Sequence, residues 1–209
     1  MTGLLTIGIY LFDDVELLDF AGPYEVLTCA ARVAGKLDLP VPFRVVSIGR
    51  TRAPTRARAG LALQPDASFE DDTGIDVLIV PGGVVAEEIK KPEVIAWIAA
   101  TAARAQLTAS VCTGAFLLAR AGLLDGLAAT THWEDVAELR AMAPLVRVEE
   151  NRRWIDEGNI VTSAGISAGI DMALHLVERL AGRELALATA RQMEYDWNED
   201  VTDAAQRQG

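Results

Sequence analysis

The sequence predicts a single-domain α/β fold whose mainly parallel sheet is covered by helices on both faces, and three observations carry that expectation. Short apolar runs without polar alternation recur between segments of helical period, the pattern of strands buried on both sides. Glycine or proline closes several of these runs, most sharply at Pro81-Gly82-Gly83 after Val80. One run passes through Cys112 straight into small residues and a helical pattern. Strands alternating with helices in this way build parallel sheets with right-handed crossovers.

The elements follow in order. Leu4 to Phe12 is a nearly continuous apolar strand. A helix is predicted from about Pro23 to Ala34, because proline suits a first turn and Gly35 follows the end. Cys29 falls inside it and reads as a small buried hydrophobe. Phe43 to Ile48 and Val77 to Val80 are further strands, and Pro92 opens a helix that contains Trp97. Gln106 to Val111 is a strand and Thr113 to Ala119 starts a helix. Ala128 to Thr131 is extended, Glu134 to Met142 helical, Asn159 to Thr162 extended, and Ser167 to Leu180 helical up to Gly182. Arg183 to Trp197 reads as a last helix, so the domain spans residues 1–197 and residues 198–209 form a flexible tail.

Composition excludes several function classes. The chain has 209 residues, 51% hydrophobic and 23% charged, which is globular and not disordered. Its formal charge of −11 repels phosphate backbones and anionic lipid, so neither nucleic acid nor membrane is an expected partner. Arg50, Arg52, Arg56 and Arg58 form a local basic run without interleaved aromatics and read as a solvated loop or hairpin. The N-terminal sequence lacks a basic n-region and a cleavage site, and no apolar run approaches the roughly 20 residues that span a bilayer. A cytoplasmic location is expected, in which Cys29 and Cys112 stay reduced.

In parallel sheets ligands bind beyond the carboxyl ends of strands. Ala109-Ser110-Val111-Cys112-Thr113-Gly114 has the layout of a nucleophile elbow, where a tight turn exposes the reactive side chain. A thiol just before a helix also faces the positive end of the helix dipole, which lowers its pKa; the alternative is a buried structural cysteine. Gly82 and Gly83 are candidates for backbone N–H donors to a ligand. Glu16 and Asp19 follow the first strand. Asp19 lies among apolar residues, where desolvation raises a carboxyl pKa, although a helix cap near Pro23 is the competing reading. Of the two histidines, His132 is placed to line the same pocket and His175 reads as a core or boundary residue. No His-Cys cluster stands at metal-ligand spacing, and no metal is expected.

Five ordered motifs then define a resemblance. They are Leu17-Leu18-Asp19-Phe20-Ala21-Gly22-Pro23, Asp76 to Gly83, Ser110 to Ala115, Ala129 to Trp133, and Thr162 to Asp171. In that order they resemble the ThiJ/PfpI family, relatives of the Parkinson-disease protein within the class I glutamine amidotransferase-like superfamily. The resemblance implies a flavodoxin-like three-layer sandwich with a nucleophile elbow. Protease-like members carry His after the nucleophile, where this chain has Thr113. The amidotransferase His-x-Glu pair is missing too, since His175 and Glu178 are one residue too far apart.

Asp after the first strand combined with Cys-Thr-Gly looks most like the isonitrile-hydrating branch. The resemblance assigns Cys112 as nucleophile, Asp19 as its acid/base partner and Thr113 as a supporting hydroxyl. It implies a small-molecule substrate, no cofactor, and a homodimer that completes the pocket near Ile166 and Ser167. The same motifs occur in sensor domains of AraC-type regulators, whose chains continue into a DNA-binding region that this chain is expected not to reach. Other cysteine-dependent chemistry, hydrolase or glyoxalase in type, is the remaining alternative.

Overall fold

The computed structural model describes residues 3–199. In chain order the elements are β1 (Leu5–Leu11), α1 (Leu17–Lys36), β2 (Phe43–Gly49), β3 (Thr55–Arg56), β4 (Ala62–Leu63), β5 (Ala67–Ser68), β6 (Val77–Val80) and α2 (Pro92–Ala102). They continue as β7 (Leu107–Val111), α3 (Gly114–Arg120), β8 (Ala128–Ala129), α4 (Val136–Met142), β9 (Arg147–Val148), β10 (Trp154–Asp156), β11 (Ile160–Ser163), α5 (Ala168–Ala181) and α6 (Arg183–Gln192).

Seven strands form one sheet in the order β10-β11-β7-β6-β1-β2-β5, parallel throughout except for the β10–β11 pair. Both faces of its central strands are covered, so β6 is continuously apolar and β7 is buried at every position even though Thr108 and Ser110 alternate with its apolar residues. Helix α1 packs against α5 and α6, and α2 packs against α3. Ile7, Ile9, Val77 to Val80, Leu107, Ala109 and Val111 are accordingly buried. From β1 the chain runs to β2 on one side and returns to β6 on the other. That reversal opens a crevice at the carboxyl ends of β1 and β6, where ligands bind in such sheets.

The predicted strands and helices are present, with three differences. Helix α1 begins at Leu17 and holds Pro23 in its interior. Proline there removes the N–H that would have reached the Asp19 carbonyl four residues back, so a strong start signal lies six residues inside the helix. The segment predicted as extended over Ala128 to Thr131 is only the short β8, which pairs with β9 away from the main sheet. Helix α6 stops at Gln192, and the chain beyond it crosses back over Asp171. The Tyr195 hydroxyl and the Asn198 N–H donate to that carboxylate, and the Trp197 indole donates to its backbone carbonyl. Of the tail expected from residue 198, residues 200–209 lie outside the described residues, while Glu199 pairs with Arg183. The basic run forms a hairpin through β3 and β4.

Gly114 permits the turn from β7 into α3. A Cβ at that position would stand 2.1 Å from the Val80 carbonyl oxygen and 2.9 Å from that of Pro81, both backbone atoms. Helix propensity alone predicts that Gly114→Ala stabilises the protein by about 1 kcal/mol. The contact predicts the opposite sign, a loss of about 3 kcal/mol from overpacking, read as a lower urea midpoint.

Candidate active site

Cys112 has φ +56, a left-handed conformation that costs a non-glycine residue of order 1–2 kcal/mol. Such strain persists only where the surroundings fix it, and here they do. The Cys112 N–H faces the Ser163 and Ala164 carbonyls at 3.2 and 3.3 Å, and the Thr131 hydroxyl donates to the Cys112 carbonyl at 2.9 Å. The elbow is thus held from β11 and from the segment after β8. Ile166 is a second strained residue, with φ +52 in the turn between β11 and α5.

Asp19 lies in the first turn of α1 with 0% of its surface exposed, directly behind Cys112. Its Oδ2 accepts a hydrogen bond from the Gly82 N–H at 3.1 Å. Its Oδ1 has no hydrogen-bond partner of ordinary geometry among the described residues, yet the Cys112 thiol and the Ile166 N–H both act on the carboxyl. Gly82 has to be glycine, because a Cβ would stand 2.5 Å from Thr113 Oγ1 and 2.8 Å from Asp19 Oδ2. Thr113 braces the arrangement from the other side. Its hydroxyl accepts from the Gly83 N–H and donates to the Gly83 carbonyl, both at 2.9 Å.

These bonds correct the expected role of the glycines. The N–H groups of Gly82 and Gly83 do not point free toward a ligand; they hold Asp19 and Thr113. The single Thr113 proton is likewise engaged, which leaves its oxygen only as an acceptor for anything in the pocket.

Burial raises the Asp19 carboxyl to about 7, with Glu16 adding repulsion. Burial and the neighbouring Asp19 carboxylate raise the Cys112 thiol to about 12. The Thr113 N–H at the helix start does favour the thiolate, as the sequence predicts, but it is outweighed. The net direction therefore corrects the expectation of a lowered thiol pKa. In physical terms the two groups hold at most one negative charge near neutrality, and one proton is shared between sulfur and carboxyl.

Cys112 sits at the floor of an open cavity of about 290 Å³, small for a ligand pocket, with Asp19 buried behind it. Cys112, Thr113, Gly83, His132 and Ile166 all line it. His132 sets the Cδ2 edge of its ring against Gly165, where a Cβ would come within 2.0 Å of that atom, and its Nδ1 lies 3.3 Å from Asp135 Oδ2. The structure also brings in residues the sequence did not assign to the site: Arg58 from the β3–β4 hairpin, read there as part of a solvated basic run, with Val84, Glu134 and Asp135. Glu16 lines the mouth as well, 3.6 Å from Arg58.

The remaining candidates lie elsewhere. His175 is buried in α5 against Trp154 and bonds Asp156 Oδ2 at 2.7 Å, a boundary residue as expected. Cys29 is buried within α1, where burial pushes its thiol pKa up. Among the described residues no three His, Cys, Asp or Glu side chains are grouped to hold a metal ion, and no helix is long and apolar enough to cross a membrane.

A mainly parallel sheet, a strained cysteine at the end of an inner strand and a buried carboxyl behind it define an α/β protein of the nucleophile-elbow class. Residues 6–179 match the model of the DJ-1/PfpI family. The chain belongs to that family. It is 38% identical over 192 residues to the isonitrile hydratase of Pseudomonas putida, covering 91% of this chain and 78% of that protein. It is also 34% identical to the HTH-type transcriptional regulator GbdR of Pseudomonas aeruginosa over 91% of this chain, which spans only 51% of the regulator. Among solved structures, a ThiJ/PfpI family protein from Pseudomonas syringae superposes with TM-score 0.82 at 27% identity, covering 95% of this chain and 78% of that one. Drosophila melanogaster DJ-1beta shares the fold with TM-score 0.79 at 19% identity, covering 94% of this chain and all of that one.

Proposed function

We propose that this protein is an isonitrile hydratase, adding water to a small isonitrile to give an N-substituted formamide. The observation that carries the reading is the fully buried Asp19 carboxyl directly behind the Cys112 thiol that lines the cavity, an acid in contact with a nucleophile. An isonitrile needs both at once. Sulfur attacks the terminal carbon, and that carbon, left carbanionic, must receive a proton as the C–S bond forms.

In the reactive form the shared proton lies on Asp19 and the charge on sulfur. Attack gives a thioimidate, R–N=CH–S–Cys112, and leaves Asp19 as carboxylate. Water then adds to the imine carbon: the Asp19 carboxylate draws a proton from the water oxygen as the hydroxyl bonds to carbon, and passes that proton to nitrogen, so that Asp19 is a carboxylate again. Collapse breaks the C–S bond, returns the hydroxyl proton to Asp19 and frees the thiolate and R–NH–CHO. The Thr113 oxygen accepts from the attacking water in this scheme while its own proton stays hydrogen-bonded to the Gly83 carbonyl.

The test is incubation of the purified protein with cyclohexyl isocyanide and a panel of small alkyl isonitriles, with formamide followed by mass spectrometry. No product from any of them sinks the reading. The pH profile is a second check. Below 7 the pair is fully protonated and lacks a nucleophile, so kcat/KM rises as pH increases through about 7. It falls again only when the second proton leaves, toward 12. A kcat/KM that declines as pH rises through neutrality contradicts the shared-proton scheme.

The match to GbdR over 91% of this chain favours one other reading, a small-molecule-sensing domain. It differs in predicting saturable ligand binding that survives Cys112→Ala with no turnover. The homodimer is part of the proposal too. Val84, Trp133 and Ile166 expose apolar surface, Trp133 being 76% exposed beside the pocket residue His132. Sedimentation at micromolar concentration checks it.

A further inference from the structure

The cavity over Cys112 is charged asymmetrically. Glu16, Glu134 and Asp135 line it against the single guanidinium of Arg58. Arg58 is already engaged, with its Nη1 3.6 Å from Glu16 Oε2. His132, the remaining ionisable group on the wall, lies against Asp135 and Glu134. The mouth is therefore net negative whichever protonation state His132 adopts. Asp135 reaches the reaction centre electrically, since its charge opposes ionisation of Cys112, and Glu16 does the same at Asp19.

An isonitrile C–N≡C unit is rigid and linear. With its terminal carbon on Cys112, the N-substituent must project away from the floor toward the mouth. It arrives where the three carboxylates stand. From this juxtaposition of Glu16, Glu134 and Asp135 around the outward path from Cys112, we propose that the substrates are compact isonitriles whose N-substituent carries a positive charge, an aminoalkyl isonitrile being the simplest class. The cavity volume of about 290 Å³ keeps that substituent short. An ammonium group also withdraws electron density from the isonitrile, so the charge that binds at the rim aids thiolate attack at the floor. This inference rests on the hydratase reading for the reaction, and on the cavity alone for the charge.

Two assays separate those dependencies. In the first, kcat/KM is compared for 3-(dimethylamino)propyl, n-pentyl and 3-carboxypropyl isocyanide, similar in length and differing in charge. The expected order is cation, neutral, anion, with about tenfold between successive members at low salt and a narrower spread at high salt. In the second, Cys112 is labelled with trimethylammonioethyl or sulfonatoethyl methanethiosulfonate. The ratio of the two rates, normalised to that of a free small thiol, is expected to exceed about 10 and to drop several-fold in Glu134→Gln, whose side chain is largely exposed.

Turnover without a charge order overturns the inference and leaves the hydratase standing. Absence of all turnover with a high labelling ratio sinks the hydratase and upholds the cation-selective cavity. Preference for the anion in either assay overturns the charge assignment and makes Arg58 a carboxylate anchor, a result that Arg58→Ala would then abolish.

Discussion

Cys112→Ala is expected to remove formamide formation, by at least about 1,000-fold in kcat/KM, because the reaction has no other nucleophile. Cys29 offers no substitute, being buried within α1 and outside the cavity lining. The fold should survive. Alanine at φ +56 bears the same strain as cysteine, and the bonds that hold the position run through backbone atoms of residue 112. Unchanged urea denaturation together with lost turnover is the predicted combination. An alanine variant that still makes formamide would falsify covalent catalysis.

Asp19→Asn is expected to yield a protein that is more stable and nearly inactive. The activity loss, about 100- to 10,000-fold, is that of removing a positioned acid and base. The stability gain has a definite sign. The folded-state pKa of Asp19 is raised from 3.8 to about 7, so stability is greatest below the unfolded value and is lost as pH rises through the folded one. Above neutrality that loss reaches up to about 4 kcal/mol. An amide keeps the acceptor for the Gly82 N–H and carries no charge to bury. The variant should therefore match the wild type near pH 4 and exceed it near pH 8 in chemical denaturation. A destabilised variant at pH 8 contradicts the buried-carboxyl account.

Much of this was legible in the sequence, for reasons that can be named. The strands β1, β6, β7 and β11 announce themselves because both of their faces are buried, and the residues immediately after them are the ones that meet. Cys112, Asp19 and the Gly82-Gly83 turn follow from that rule. Pro23 misled because a first-turn preference is only statistical, while α1 tolerates it inside. The donor role expected of Gly82 and Gly83 failed because nothing in a Gly-Gly pair says which acceptor will reach it first. Arg58 and Asp135 were out of reach for another reason. One arrives on a hairpin and the other follows β8, so only tertiary folding brings them to the cavity. The thiol pKa was misjudged because a helix-start N–H is local and visible, whereas burial and the charge of Asp19 are not.

The clamp on the elbow has a consequence for how this site can change over time. Its three contacts bind the amide and carbonyl of residue 112 and none involves the sulfur. Residues without a branched Cβ meet a comparable strain there, so the backbone is largely indifferent to which of those side chains it displays. The position works as a socket. Exchanging the head group alters the chemistry on offer without re-engineering the mount, and a lineage that keeps Thr131 and the Ser163-Ala164 turn can trade one reaction for another by single substitutions.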